Sequence, residues 1–271
     1  MKSQVYIITC KTNMHAGSGS ADQGVIDNLV QRDHTEKIPC IYASSLKGAL
    51  REYFEDCVNA DNDVVKDIFG GKGSDVGKGN VIFHDALLLS IPLRSNREAF
   101  FNATCPLLIE RMINFMGTFG IKNDKLEHFL KIIKNAGEKP FIFNYSKNDL
   151  QVEWFEQFEF MKDDKMSGLL GDKFIVTSND DFKLLVEDYN LPVIARNQLE
   201  NGVSKNLFYE QIMPRETQFF FIINQYVEHN GGYNAIDGFK KQMIASINEL
   251  PVQIGANASI GYGYCNITSF N

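Results

Sequence analysis

No Cys-x-x-Cys pair occurs in this chain: the five cysteines (Cys10, Cys40, Cys57, Cys105, Cys265) are scattered singly along 271 residues. That excludes the common zinc-ribbon and dithiol redox spacings. The N-terminus runs straight into a short alternating strand, so no secretory leader is expected and the thiols are expected to stay reduced in a cytoplasmic compartment. No apolar run reaches the roughly 18 residues of a membrane span, and no membrane partner is expected. Nucleotide-binding fingerprints are missing as well. Gly17-Ser18-Gly19 is followed by Gly24 rather than a third glycine three residues on, and Gly77-Lys78 leads to Gly79 rather than Ser or Thr, so neither a dinucleotide loop nor a P-loop is present.

A surplus of positive charge is also lacking. Lys and Arg number 27 against 34 Asp and Glu, a net charge of −7, whereas phosphate binding rests on cations. The imbalance is local, however. Residues 147–188 hold eleven Asp or Glu against five Lys, which accounts for −6 and leaves the remainder of the chain close to neutral. A charge run of this kind reads as a solvated face, and a neutral remainder can still carry a basic groove.

Apolar residues make up 44% of the chain and aromatics 12%, enough for a substantial core. Period-2 and period-3.6 patterns give the order of elements. Residues 4–10 read as a strand, followed by a Gly/Ser/Asp-rich loop from Asn13 to about Tyr42. A helix capped by Ser44 or Ser45 then presents Leu46, Ala49, Leu50, Tyr53, Phe54 and Cys57 on one stripe. A strand at 81–91 and an amphipathic helix from Cys105 to Phe119, with Pro106 in its first turn, come next. Residues 121–190 show no sustained period and read as an insertion. A strand at 217–228, a helix at 235–249 with Ile236, Phe239, Met243 and Ile247 inward, and a last strand at 262–268 complete the chain. Strand, helix, strand, repeated twice, is the split βαβ of an α+β, ferredoxin-like or RRM-like fold. Asn201-Gly202, between two extended and mostly polar pieces, is the preferred type I′ pair and predicts a projecting hairpin.

The stretch from Met14 to Arg51 is the richest in chemistry. It gathers His15, Gly17, Gly19, Gly24, Asp27, Arg32, His34, Lys47 and Arg51 toward one sheet end and one helix start. Lys47 and Arg51 lie four apart and share a helix face, and Gly48 removes the side chain beside Lys47, a setting that suits a phosphodiester. A solvated helix face gives the same pattern. Asp27, among glycines, reads either as a turn-forming residue or as a carboxylate that binds Mg²⁺ or orients a ribose 2′-hydroxyl. With one carboxylate, a single ion completed by RNA oxygens and water is the expected form. Gly261 and Gly263, just before the last strand, offer bare backbone to a ribose-phosphate chain or simply form a tight turn.

Taken in order, HAGSG (15–19), GVIDNLVQRD (24–33), SSLKGALR (44–51), VIFHDALLLSIPLRS (81–95), NATCPLLIER (102–111), LPVIARNQLENGVSKNLFYEQIMP (191–214) and SIGYGY (259–264) resemble the RAMP superfamily. Within it the resemblance is to the backbone subunits of type III-B CRISPR complexes. It implies one palm domain over 1–271 with large insertions, the principal one at 121–190, and a hairpin thumb at 195–214. It further implies copies stacked in a filament with other type III-B subunits, a guide RNA (crRNA) and a single-stranded target RNA. Target cleavage would fall to Asp27 with Mg²⁺ or Mn²⁺, accompanied by the loop histidine His15. Lys47 would contact the guide backbone, with Tyr209 and Glu210 near the target. Two other readings stay open. One is a subunit that only scaffolds guide RNA; the other is a metal-independent, guide-processing endoribonuclease with His15 and His34 as general bases.

Overall fold

A computed structural model of the chain describes residues 2–21, 24–72, 77–134, 139–146, 149–162, 166–225, 235–246 and 250–270. The chain groups into two compact units, one comprising Met1–Leu87, Leu191–Arg215 and Phe219–Asn271, the other Leu88–Asn190 with Glu216–Gln218. Among the described residues no helix is long and apolar enough to cross a membrane.

The first unit is built on strands that lie side by side in the order Val252–Gln253, Tyr264–Phe270, Lys2–Cys10, Gln218–Gln225, Ile82–Phe83. Lys2–Cys10 runs antiparallel to Tyr264–Phe270, with Val5 opposite Phe270 and Cys10 opposite Cys265. Ile82–Phe83 runs antiparallel to Gln218–Gln225, with Ile223 opposite Phe83. Every residue of QFFFIINQ (218–225) is buried, the mark of a central strand covered on both faces. Helices Ala43–Glu52, Asn62–Phe69 and Ala235–Ser246 accompany these strands. Six rings join helices to strands: Tyr6 stacks on Phe221 and meets Phe239 edge-on, Phe239 stacks on Phe54, and Phe69 bridges Phe54 and Phe83. Rings at such distances add about 0.5–1.5 kcal/mol per pair to the burial itself. Ile236, Phe239 and Met243 point inward as their spacing requires; Ile247, and residues 226–228 of the expected strand, lie outside the described residues.

The segment from Asn13 to Tyr42, expected as a loop, contains three short strands: Gly17–Ala21, Asn28–Val30 and Cys40–Ile41. GSGSA has little strand propensity, so tertiary pairing imposes the conformation. Gly17–Ala21 pairs with Asn28–Val30, which pairs in turn with the hairpin Val193–Glu200/Val203–Gln211 to give a four-stranded sheet. The hairpin turn is the expected one. Asn201 (φ 52°) and Gly202 (φ 78°) both take positive φ, as a type I′ turn demands.

The second unit orders strands Ala86–Leu93 (from Leu88 onward), Phe101–Thr104, Phe174–Val176, Phe141–Phe143 and Glu159–Met161. Its core centres on Phe129, Phe143 and Phe174. The 121–190 stretch therefore has a regular framework, including helices Asp124–Lys134 and Asn179–Leu185. It shares one unit with the helix Pro106–Thr118, which lies outside the expected insertion. Short strands and helices of three to eleven residues leave little periodicity for a sequence window to detect.

The helix Ala43–Glu52 starts differently from expectation. Tyr42 occupies the N-cap with no side-chain cap of its own, and neither Ser44 nor Ser45 takes that position. Instead Asp85, from the bend between Phe83 and Ala86, accepts the Ala43 N–H at 2.6 Å. A carboxylate at that end also meets the positive pole of the helix. Asp85→Ala is expected to lower unfolding stability by about 1 kcal/mol, read from urea denaturation; an unchanged midpoint and slope would refute the cap.

Candidate nucleic-acid interface

The short strand Asn28–Val30 lies between two partners. Val30 opposes Gly17 on one side, and Asn28 opposes Glu210 of the hairpin on the other. Asp27, just before this strand, is fastened to the hairpin by a reciprocal pair of bonds. Its N–H donates to the Tyr209 carbonyl at 3.1 Å, and its Oδ2 accepts the Tyr209 N–H at 2.7 Å. The carboxylate is thereby oriented through one oxygen, and Oδ1 has no hydrogen-bond partner among the described residues. Tyr209 itself is 40% exposed, in line with Leu207 on the same face of the strand.

Glu210 departs from expectation. Placed near the target strand beside Tyr209 by resemblance, it is only 4% exposed and points the opposite way, as period-2 alternation requires of its neighbour. Its Oε2 accepts from Arg196 Nη1 at 2.9 Å and from Asn257 Nδ2 at 2.8 Å, and its Oε1 lies 3.6 Å from His15 Nε2. A direct RNA contact by Glu210 is replaced by a buried junction of the hairpin with the His15 loop and the Gly-rich C-terminal segment.

His15 is likewise buried, at 5% exposure. Its Nδ1 lies 2.7 Å from the Gln211 carbonyl, which can only accept, so Nδ1 carries the proton. Nε2 then faces Glu210, an attractive contact when the ring is protonated. Gly17 makes room for the ring, since a Cβ there would sit 2.8 Å from Nε2. The His15 carbonyl accepts the Ala256 N–H at 2.8 Å. Both ring nitrogens thus face protein. This disfavours His15 as a base open to RNA, while His34 lies in an exposed turn.

On the helix, Lys47 is half-buried and Gly48 exposed, with open space where a Cβ would stand. Burial, and next the charge of Arg51, pushes the Lys47 ammonium below its usual lysine range. Arg51 is less available than its spacing implies, because its Nε donates to Glu55 at 2.8 Å. Lys72 grips the other Glu55 oxygen. Burial would raise Glu55, but the hydrogen bonds from Lys72 and Arg51 outweigh it and hold the carboxyl below its usual range. Arg32 donates to the Lys37 carbonyl at 2.7 Å within its own turn.

The two glycines expected to face RNA separate. Gly261 (φ 83°) is exposed, with no atom near a would-be Cβ. Gly263 is buried, its N–H donates to Asn13 O and its carbonyl accepts the Ile254 N–H. Its φ of 79° and the Ile254 carbonyl packed against it require glycine for close backbone packing; a role in meeting RNA is withdrawn.

Four residues of this site escaped the sequence reading: Arg196, Asn257, Gln31 and Gln211. Gln211 Oε1 accepts the Val30 N–H at 3.1 Å. Isolated polar residues carry no periodic signal, and the partners of Gln211 lie 181 and 196 positions away. Among the described residues no group of three His, Cys, Asp or Glu is placed to hold a metal ion. Removing Glu210 strands a buried histidine and a partly buried guanidinium. Glu210→Ala is therefore expected to cost about 2–3 kcal/mol in denaturant unfolding; a loss under about 1 kcal/mol would show that the junction contributes little.

A curated relative, the CRISPR system Cmr endoribonuclease Cmr4 of Pyrococcus furiosus, is 25% identical over 287 aligned positions, covering 99% of this chain and 96% of its own. The fold is shared with a chain of the type III-B Cmr-beta complex bound to cognate target RNA (TM-score 0.80, 19% identity, 99% and 97% covered). It is also shared with oligomeric Cmr4 of Pyrococcus furiosus (TM-score 0.71, 23% identity, 100% and 98% covered). The model of the RAMP superfamily matches residues 7–266, and since that is nearly the whole chain, with all seven ordered motifs inside it, the chain belongs to the RAMP superfamily.

Proposed function

We propose that this chain is a repeating backbone subunit of a type III-B CRISPR ribonucleoprotein in the cytoplasm. In this reading it binds guide RNA and cuts the paired target RNA at regular intervals through Asp27 and Mg²⁺ or Mn²⁺. The single observation that carries the reading is the Asp27 carboxylate, held by the Tyr209 backbone beside an exposed strand face, with Oδ1 left for other partners. The first unit acts as a ferredoxin-like palm. Its four principal strands in chain order are Lys2–Cys10, Ile82–Phe83, Gln218–Gln225 and Tyr264–Phe270, lying fourth-first-third-second across the sheet. The hairpin acts as a thumb, and Tyr209 and Leu207 are the side chains it offers to the paired strands. Further copies of the chain, together with sibling subunits, complete the filament, a reading supported by the oligomeric and RNA-bound assemblies of its structural relatives.

Chemically, Asp27 offers a hard oxygen donor, the type Mg²⁺ prefers. One protein carboxylate suffices if phosphate oxygens and water complete the shell. Bound there, the ion would supply neutralisation of the charge that builds on the scissile phosphate. The chain's own task is orientation. Tyr209 N–H fixes the Asp27 carboxylate plane, while Lys47, unpaired with any carboxylate among the described residues, screens guide phosphate. A pure scaffold would have no use for an oriented carboxylate, and the burial of His15 takes away one of the two bases of the histidine-based reading, leaving His34 alone.

In the reconstituted complex, Asp27→Ala is expected to lower cleavage of end-labelled complementary RNA by more than about 10²-fold, with target Kd within about twofold. A ladder of unchanged intensity would move the chemistry to another subunit. Lys47→Ala is expected to weaken guide binding and to reduce the slope of log K against log salt by about 0.7 per substituted copy, leaving cut positions in place. An unaltered slope would dismiss the phosphate contact. With excess EDTA, target cutting should stop while bound target is retained; persistent cutting would favour a metal-free mechanism.

A further inference from the structure

Gln31 is a polar residue buried to 5% exposure at the point where three segments of the site meet. Its Nε2 donates to the Gly17 carbonyl at 3.0 Å and to Ser45 Oγ at 3.0 Å, and its Oε1 accepts the Tyr42 N–H at 2.7 Å. Because Tyr42 N–H can only donate, the amide can face only one way. The backbone is engaged too: Gln31 N–H donates to Ala16 O at 2.8 Å, and its carbonyl accepts Cys40 N–H at 2.9 Å. One residue therefore ties together the Gly17 strand, the strand that follows Asp27 and the first turn of the helix bearing Lys47.

We propose that Gln31 is a positioning residue that fixes the separation between the guide-gripping Lys47 and the cutting carboxylate Asp27, and so selects which phosphodiester is cut. The inference rests on the roles proposed above for those two residues. Lys47 sits two residues beyond Ser45 on a rigid helix, and Asp27 sits four residues before Gln31, locked to Tyr209. Each end is stiff by itself. The Gln31 amide links them beside a second side-chain bond, from Tyr42 Oη to the Arg32 carbonyl at 3.0 Å, and a shift of about 1 Å at a reacting centre is enough to cost about 10²-fold in rate. Burial of Gln31 itself makes the link exacting, since losing either of its donated bonds leaves a part-buried acceptor without that partner.

The test is single-turnover cleavage of labelled complementary RNA by the reconstituted complex, with target Kd measured in parallel, for Gln31→Glu, Ser45→Ala and Asp27→Ala. Gln31→Glu keeps the acceptor for Tyr42 N–H and loses both donated bonds. It is expected to lower the cleavage rate at saturating target by at least about tenfold, with Kd within about twofold, and to spread each product onto neighbouring phosphodiesters. Ser45→Ala removes one partner only and should move both readouts in the same direction by a smaller amount. Wild-type rate with sharp products overturns the proposal, as does a rate that falls only in step with affinity. If Gln31→Glu fails to assemble, Ser45→Ala decides by the same criteria. Asp27→Ala separates the two levels: a variant that still cuts removes the underlying reading and this inference with it. An inactive Asp27→Ala beside a fully active, sharp Gln31→Glu overturns the Gln31 role alone.

Discussion

A carboxylate withdrawn from water has to be matched by donors on every side, and Glu210 imposes that condition on the whole site. Its partners come from three distant stretches: Arg196 on the opposite hairpin strand, Asn257 in the Gly-rich C-terminal segment and His15 after the first strand. None of those stretches has a continuous apolar face of its own. The requirement to satisfy one buried charge therefore fixes their mutual position more tightly than nonpolar burial would. The narrow glycine positions follow from it. Gly17 has to clear the His15 ring, and Gly255, at φ 87°, has to pass against the His15 backbone.

Charge is partitioned between the two units. The acidic run at 147–188 falls within Leu88–Asn190, whereas the residues assigned here to RNA all belong to the other unit. Net charge over the whole chain is a poor guide to nucleic-acid binding in such a case, because screening confines each patch to about 8–10 Å of influence at physiological salt.

The long periodic elements were readable from the sequence because their patterns are self-contained. The buried strand at 218–225, the inward stripe of Ile236, Phe239 and Met243, and the Asn-Gly turn each follow from residues within a dozen positions. What was not readable depends on remote partners. GSGSA becomes a strand only because Asn28–Val30 lies beside it, and the helix at Ala43 is capped from Asp85, 42 positions away. The Tyr209–Glu210 pair is a different case. Alternation along a strand already forbids adjacent residues from sharing a face, so a stricter use of that rule would have sent Glu210 inward. At Asp27 the sequence marked the residue, but its orienting partner is a backbone amide, which no side-chain pattern reveals.

That last contact separates two kinds of inheritance. Asp27 is held by the N–H and C=O of residue 209, groups that every amino acid except proline possesses in full. The side chain at 209 is therefore free to drift, and with it the way the exposed strand face meets its partner, while the carboxylate keeps its seat. A lineage of such chains could diversify what that face touches without disturbing how the carboxylate is held.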